Sequence, residues 1–352
     1  MTPMTTDTET GTGTAVPEAV LRMRELAHSA ACAAAIRAAA RLGVADAVGD
    51  TPVAVADLAR TVGADADALE RLVRALRCYD IFTLTADGLV GHTAFSRLLR
   101  EDAPRGLKYN ALWATEPWSW EVWGHLDEAV RTGKSVFPGL HAKEFFTYLH
   151  EDAPESSAVF DKAMTQSSRL SAQAIADVLD IADAGRVADI AGGQGHVLST
   201  LMERHPSLHG ILLDLPDVVA GADPRLREGG ALAGRATLVP GDCRQEVPVE
   251  ADVYILKNIL EWDDESTVRT LRNVAGAARP GARVVVMENL VDGSPEMKFT
   301  TAMDLLLLLN VGGKKHTRAG LLGLIERAGL RVDGIRPINS YLHLVESTVC
   351  AS

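Results

Sequence analysis

The chain has 352 residues, of which 47% are apolar, and it carries a formal net charge of −12 at pH 7. This length allows two domains with large cores, and the negative charge argues against nucleic acid or an anionic membrane as a partner. No apolar run is long enough to span a membrane, and the four scattered cysteines fit neither a metal site nor a disulfide framework, which favours a reducing, cytoplasmic location.

The N-terminal segment begins without an apolar pattern. Residues 1–15 are rich in Thr and Gly, so they are predicted to be disordered, and they lack the regions of a signal peptide. Residues 18–48 are predicted to form a helix, in which the stretch from Ala30 to Ala40 is nearly all alanine. Small side chains permit close helix packing, either inside one chain or against a second copy.

A helix pair and a small β-wing are predicted next. The helices are expected over Val55–Val62 and Asp67–Cys78, and the strands over Ile81–Leu84 and Gly88–Gly91. This arrangement resembles a winged helix, a fold that DNA-binding proteins also use. The acidic balance of the segment argues against a role in DNA binding.

Aromatic residues are concentrated in residues 105–150, which contain four of the five tryptophans of the chain. The segment is either a hydrophobic connector between domains or the wall of a pocket for a flat, apolar ligand. A long helix is predicted to follow over Glu155–Leu179.

The next segment, Val187–His196, is predicted to be a strand that ends in a glycine turn and a new helix. The glycines let the backbone approach a ligand, and the first turn of the helix offers free N–H groups. A dinucleotide fingerprint would need a third glycine where Leu198 stands, so a pyrophosphate site is not indicated.

Carboxylates follow three of the predicted parallel strands. The strand beginning at His209 ends at Asp214, about 20 residues after the glycine turn, where such folds place the acid that binds ribose hydroxyls. The strand Ala236–Pro240 precedes Asp242, and the first strand ends near Asp189. Three carboxylates in one crevice suit a ligand with hydroxyls, an amine and a positive charge, and they suit a polyphosphate poorly.

The remaining pattern completes a doubly wound α/β sheet, mostly parallel and with one antiparallel strand at the end. Leu305–Leu309 is expected in a core helix. The other predicted elements are the strands 252–257, Val284–Glu288, Leu330–Arg336 and Tyr341–Val345, and the helices Glu265–Ala278 and 318–328.

The motifs along the chain are the glycine turn, Asp-Leu-Pro, Gly-Asp, and a lysine before an acidic segment with one tryptophan. The order of these motifs resembles that in the S-adenosylmethionine (SAM)-dependent small-molecule O-methyltransferases. These are the plant caffeate and flavonoid enzymes and the bacterial polyketide-tailoring enzymes. The resemblance implies a winged-helix-like dimerisation domain (16–105), a helical connector and pocket wall (106–175), and a Rossmann-like class I methyltransferase domain with seven strands (176–352). It also implies a homodimer that methylates a small aromatic acceptor, phenolic or carboxylated, in secondary metabolism, with S-adenosylhomocysteine (SAH) as the other product.

The resemblance assigns two groups of site residues. Met164 and Ser168 match family positions that contact the methionine end of SAM. For these two residues a purely structural role in the helix is the alternative. The cofactor-binding candidates are Asp189, Ala191, Gly192, Gly193, Gly195, Asp214, Leu215, Gly241, Asp242, Cys243, Lys257, Met164 and Ser168. The acceptor-pocket candidates are Trp113, Trp118, Phe160, Trp262, Met303 and His316.

The catalytic half departs from the family pattern. The family uses a His in a Leu-His-Asp-Trp segment, supported by two glutamates, but here the segment Lys257–Trp262 is one residue shorter. Either Glu261 or Leu260 stands in the place of the His, depending on the direction of counting. The first supporting acid is present as Glu288, whereas Lys315 replaces the second.

Three mechanisms fit Glu261, Glu288 and Lys315 as catalytic candidates. Glu261 acts as the general base, with a pKa that burial can raise toward neutrality. Alternatively, the acceptor is already acidic, and Lys315 or His316 binds its anionic group. In the third, the chain binds SAM but performs hydroxylation, decarboxylation or rearrangement, or no catalysis at all. Glu261 could also be an ordinary solvated loop acid.

Overall fold

The computed structural model describes residues 16–293 and 297–350. The chain divides into two compact units, and the boundary lies between Glu101 and Asp102. The segment 1–15, for which disorder was predicted, lies outside the described residues.

The first unit combines helices with a small antiparallel sheet in the order β1-β3-β2. The wing therefore has one strand more than the sequence pattern indicated. The helices are α1 (Glu18–Ala27), α2 (Ser29–Leu42), α3 (Val44–Val48), α4 (Val55–Val62), α5 (Ala66–Arg77) and α6 (Ala94–Arg97). The strands are β1 (Val53–Ala54), β2 (Phe82–Leu84) and β3 (Leu89–His92).

The single helix predicted over residues 18–48 is wrong, because the segment forms α1, α2 and α3. His28, between α1 and α2, leaves the helical region with φ −102° and ψ 9°. Gly43 ends α2 in the left-handed conformation, with φ 68°, which glycine adopts without a steric penalty. The glycine was a visible stop signal, whereas nothing in the sequence around His28 marks a break.

The second unit opens with a helical segment and continues as an α/β sheet. The helices of the first part are α7 (Lys108–Trp113), α8 (Pro117–Trp123), α9 (Leu126–Thr132), α10 (Phe137–His141), α11 (Phe145–Glu151) and α12 (Pro154–Val178). The helices of the second part are α13 (His196–Arg204), α14 (Pro216–Ala220), α15 (Asp264–Ala277), α16 (Met297–Val311) and α17 (Arg318–Arg327), and a 3₁₀ turn covers Ala233–Arg235. The strands are β4 (Arg186–Ile190), β5 (His209–Asp214), β6 (Ala236–Pro240), β7 (Val253–Lys257), β8 (Arg283–Glu288), β9 (Leu330–Pro337) and β10 (His343–Val349).

Within the described residues, seven strands form one sheet in the order β6-β5-β4-β7-β8-β10-β9. Strands β4 to β8 are parallel, and β10 is antiparallel to both of its neighbours. Apolar side chains are buried on both faces of the sheet, as expected when helices cover both sides. The predicted fold is confirmed, with one adjustment: the antiparallel strand is last in sequence but lies between β8 and β9.

Two further features bear on the site. The aromatic segment forms a buried cluster within the second unit, where Trp113 and Trp118 pack with Phe137, Phe145 and helix α16. The predicted core helix around Leu305–Leu309 is α16, with Leu306 and Leu309 buried. Among the described residues, no helix is both long and apolar enough to cross a membrane.

Candidate active site

The glycine turn after β4 wraps closely around the end of that strand. A Cβ atom on Gly192 would lie 2.5 Å from Asp189 Oδ2, so only glycine fits there without displacing the carboxylate. Gly195 has φ 77°, and a Cβ atom on it would lie 2.6 Å from Leu226 Cδ1. Ala191 also adopts a positive φ, of 50°. The chain therefore turns sharply above Asp189 and enters α13 with its backbone close to the crevice.

Asp214, at the end of β5, is fixed by this turn. Its Oδ2 accepts a hydrogen bond from Gly193 N at 2.8 Å, and its Oδ1 accepts one from Leu215 N at 2.7 Å. Burial raises the pKa of Asp214 to about 6, against the lowering effect of these two bonds. Because each carboxylate oxygen has two lone pairs, both oxygens can still accept from the hydroxyls of a ligand.

Asp189 and Lys257 lie on adjacent strands beneath the turn. Asp189 is 1% exposed, and its Oδ2 has no hydrogen-bond partner among the residues that the structure describes. Burial raises the pKa of Asp189 to about 7, opposed by Lys257 and assisted by Asp214. An unpaired buried oxygen needs a donor. A cationic ligand with hydroxyl and ammonium groups, such as SAM, fits this set of acceptors.

The loop after β6 adds a feature that the sequence reasoning missed. The Arg244 guanidinium binds Asp242 through two donors, with Nε 3.0 Å from Oδ1 and Nη2 2.9 Å from Oδ2. It also lies over the ring of Trp262, at 5.6 Å. Burial would raise the pKa of Asp242, but the hydrogen bonds from Arg244 outweigh this effect and lower it. Neighbouring Cys243 is buried, which raises the pKa of its thiol to about 12 and leaves it unreactive.

A cavity of about 740 Å³ opens beside this loop. Asp242, Arg244 and Trp262 line one side, and Phe145 and Phe146 of α11 line the other. The volume lies within the range of small-molecule pockets, and the aromatic walls suit a flat ligand. Of the predicted pocket residues, Trp262 is the one that lines this cavity.

The other predicted aromatic pocket residues lie in the buried cluster. The ring centroid of Trp113 is 6.1 Å from that of Phe160 and 6.5 Å from that of Trp118. Met303 of α16 packs against the same cluster. These contacts match the connector interpretation of the segment, although Phe145 extends from the cluster to the cavity wall.

Helix α12 contacts the glycine turn through a side-chain hydrogen bond. Thr165 Oγ1 donates to Gln194 Oε1 at 2.9 Å, a pair that the sequence did not reveal. Met164 and Ser168, the two candidates on this helix, are both half-buried. They lie within one helical turn of Thr165, so the helix presents this stretch near the turn.

Three charged side chains meet at the ends of β7 and β8. Lys315 Nζ forms a short ion pair with Glu261 Oε1 and lies 3.5 Å from Glu288 Oε2. The side chain of Lys315 is 4% exposed and that of Glu288 is 1% exposed, whereas that of Glu261 is 17% exposed. Glu288 Oε1 also accepts from Leu260 N at 3.2 Å. Glu261 is thus the member of this charged cluster that faces outward.

Burial and coupling set the protonation of the charged cluster. Burial raises the pKa of Glu288 to about 7, with Lys315 opposing and Glu261 assisting the rise. Burial alone would lower the pKa of Lys315, but its attraction to the two glutamates raises it. The cluster therefore combines a fixed ammonium with a carboxyl group that titrates near neutral pH.

The backbone holds the two loops of the cluster together. Lys314 N donates to Glu261 O at 3.2 Å, and Lys315 N donates to Asp304 Oδ1 at 2.7 Å. A Cβ atom on Gly313 would lie only 1.8 Å from Glu261 O, so the close approach requires glycine. Glu261 lies in the loop after β7, and this contact fixes the position of its backbone.

The structure distinguishes the two candidates for the position of the family His. Leu260 is fully buried in the apolar core beside β7, whereas Glu261 belongs to the charged cluster. His316, predicted to line the acceptor pocket, is 3% exposed, and its Nε2 lies 2.6 Å from Leu260 O, so its role in that pocket stays a prediction. The geometry also gives no support to an acceptor anion on Lys315, because two carboxylates already occupy its ammonium.

The comparisons with known proteins agree with this architecture. The family model described as the O-methyltransferase domain matches residues 123–331, and that of the O-methyltransferase dimerisation domain matches residues 24–102. A mitomycin biosynthesis 6-O-methyltransferase from Streptomyces lavendulae is 36% identical over 307 residues, which is 87% of each chain.

Solved structures match over nearly the whole chain. The mitomycin 7-O-methyltransferase MmcR superposes with a TM-score of 0.85 at 34% identity, covering 94% of this chain and 98% of that chain. NcsB1, an O-methyltransferase from neocarzinostatin biosynthesis, was solved with SAH and 1,4-dihydroxy-2-naphthoic acid; it matches at 35% identity with a TM-score of 0.77, covering 93% and 98% of the two chains. These relatives give no support to the non-methylating alternative. The chain therefore belongs to the O-methyltransferase family with an N-terminal dimerisation domain and is a SAM-dependent O-methyltransferase.

Proposed function

We propose that this enzyme transfers the methyl group of SAM to a hydroxyl of a small aromatic acceptor, in a tailoring step of bacterial secondary metabolism, with Glu261 as the base. The observation that carries the proposal is the charged cluster, in which Lys315 holds the outward-facing carboxylate of Glu261 beside buried Glu288. The neighbouring residue, Trp262, lines the 740 Å³ cavity.

The cofactor half of the proposal rests on the acids above the sheet. Asp214 would accept from the ribose hydroxyls, and the unpaired Asp189 Oδ2 would accept from a donor at the methionine end. Asp242 and Cys243 would contact the adenine. When bound, SAM supplies an electrophilic methyl group on a sulfonium centre.

The acceptor half rests on Glu261. A phenol has a pKa of about 10, so its hydroxyl must lose a proton as it is methylated. Glu261 accepts that proton, the O–H bond breaks, and the oxygen is left free to attack. Glu288, with its pKa of about 7, can share the proton through the cluster near neutral pH. General-base assistance of this kind is worth about 10²–10⁴-fold in rate.

The proposal includes a homodimer, because the residues that the structure describes leave α1 largely uncovered. None of residues 18–27 is buried. Val20, Leu21, Met23 and Leu26 on this helix are all exposed apolar residues. The dimerisation model matches residues 24–102, so the patch adjoins and partly overlaps the matched segment, and we expect it to be buried against the same patch of a second copy.

The test combines binding with product detection. Calorimetry measures SAM binding to the purified enzyme, and mass spectrometry measures SAH and the O-methylated product from a panel of hydroxylated arenes. We expect SAM binding in the micromolar range and equal amounts of the two products. Tight SAM binding without an O-methylated product from any arene would contradict the proposed function.

A further inference from the structure

The charged cluster also bears on which acceptors the enzyme takes. Each of the three consecutive basic residues at 314–316 already has a partner. Lys314 pairs with Asp264 at 2.7 Å, Lys315 contacts both glutamates, and His316 lies 2.6 Å from the carbonyl oxygen of Leu260. The segment that replaces an acidic family position with lysine therefore offers no unpaired cation to a ligand.

The exposed fractions of the three side chains indicate which charge a ligand contacts first. The side chain of Glu261 is 17% exposed, compared with 4% for Lys315 and 1% for Glu288. The Glu261 carboxylate is thus the most accessible charge of the cluster, and the ammonium is buried more deeply. Carboxylate oxygens accept hydrogen bonds and cannot donate them, so this face favours hydroxyl or amino groups.

A carboxylate on the acceptor, next to the reacting hydroxyl, would meet the opposite situation. It would lie against Glu261 in a partly desolvated site, where like charges repel strongly. Such a repulsive contact discriminates between ligands as effectively as an attractive one. A carboxylate elsewhere on the acceptor, away from the reacting hydroxyl, would not encounter this repulsion.

We propose that the enzyme selects acceptors with a neutral hydrogen-bond donor beside the hydroxyl that is methylated, such as ortho-dihydroxy or ortho-amino-hydroxy arenes, and rejects ortho-carboxylated phenols. The inference rests on the proposed placement of the acceptor hydroxyl at Glu261. Lys315 is then a positioning residue, which holds the Glu261 carboxylate in place and does not touch the acceptor.

Removing the Glu261 charge should reverse this preference. In Glu261→Gln, Lys315 retains only Glu288, at 3.5 Å, so its ammonium is partly released toward the acceptor side. An ortho-carboxylate then gains an attractive partner and loses a repulsive one. Adding Lys315→Met to Glu261→Gln removes the ammonium and should abolish the gain.

The experiment uses two acceptors of similar shape, 2,3-dihydroxynaphthalene and 3-hydroxy-2-naphthoate. For each we measure kcat/KM for O-methylation and the Kd for the enzyme–SAH complex, at pH 8, which lies above the pKa of about 7 of Glu288. The proteins are wild type, Glu261→Gln, the double variant, and Glu265→Gln as a matched control. Glu265 pairs with Arg327 on the surface and is 77% exposed.

We expect wild type and Glu265→Gln to favour the diol by about tenfold or more in both kcat/KM and Kd, which corresponds to about 1.4 kcal/mol. The ratio of the two Kd values should shift toward the naphthoate by about tenfold in Glu261→Gln and return in the double variant. Equal binding of both compounds to wild type, or an unchanged ratio in Glu261→Gln, would overturn the inference. The wild-type ratio decides the question even if a variant fails to fold.

Failure of the proposed function would give a different experimental result from failure of this inference. If neither compound nor any other arene is methylated, the proposed function fails, while the Kd ratio of the wild type remains measurable. If the naphthoate is methylated as well as the diol, methyl transfer stands and the inference about the acceptor class fails.

Discussion

Gly313→Ala tests the loop contact that places the proposed base. The added Cβ would lie 1.8 Å from Glu261 O, whereas ordinary contact begins at 3.4 Å. Glu261 or the loop must therefore move by about 1.6 Å, the difference between these two distances. A misplacement of about 1 Å can reduce the rate about 10²-fold even when binding is unchanged.

The assay separates catalysis from binding and folding. We expect kcat of Gly313→Ala to fall about 10²-fold or more, with the Kd for SAM within about twofold of wild type, because the residues that contact Asp214 do not change. Gly323→Ala in α17 is the control, since its Cβ would have no atom within 4 Å. A Gly313→Ala enzyme with wild-type kcat would refute the claim that this contact positions Glu261.

Three further predictions concern the cofactor acids, the buried ion pair and the dimer. Burial raises the pKa of Asp214 to about 6, so ionising it in the cofactor-free protein lowers the folding stability as pH rises from about 4 to about 6. In thermal melts of the cofactor-free protein, Asp214→Asn should remove this loss of stability. In calorimetry, the same variant should bind SAM more weakly by about 1 kcal/mol or more. Lys315→Met leaves Glu261 and Glu288 without their ammonium partner, so it should lower the free energy of unfolding by about 3–5 kcal/mol in urea titrations at pH 8. The loss should be smaller at pH 6, where Glu288 is protonated. Equal losses of stability at the two pH values would count against the ion pair. Leu26→Glu on α1 should convert the dimer to a monomer in light scattering at micromolar concentration, whereas Glu25→Gln, on the same helix, should leave the dimer intact.

Much of the fold is predictable because its signals are local. Strands β5, β7 and β8 are apolar runs that end at an acid or a lysine, and glycines mark the turn after β4. The break at His28 was missed because it depends on packing and has no glycine or proline. The position of β10 between β8 and β9 was missed because strand order is a property of the whole sheet.

The cofactor side of the site was easier to predict than the catalytic side, for the same reason. Asp214 follows the glycine turn at a fixed spacing, and its hydrogen bond to Gly193 is a direct result of the βα unit. Glu261 and Lys315 are 54 residues apart, and their pairing is set by the tertiary approach of two loops. The sequence showed a changed acid and a changed base, but it did not show that they bind each other.

The most direct test of the central claim is the pH dependence of a single turnover, measured for wild type and Glu261→Gln with SAM already bound. We predict that wild type loses rate as pH falls through about 7, where Glu288 becomes protonated and can no longer share the proton that Glu261 accepts. Glu261→Gln should be slower by about 10²-fold or more at pH 8, with unchanged SAM affinity and a flat acid limb. A Glu261→Gln enzyme that keeps both the wild-type rate and the wild-type acid limb would contradict the assignment of Glu261 as the base.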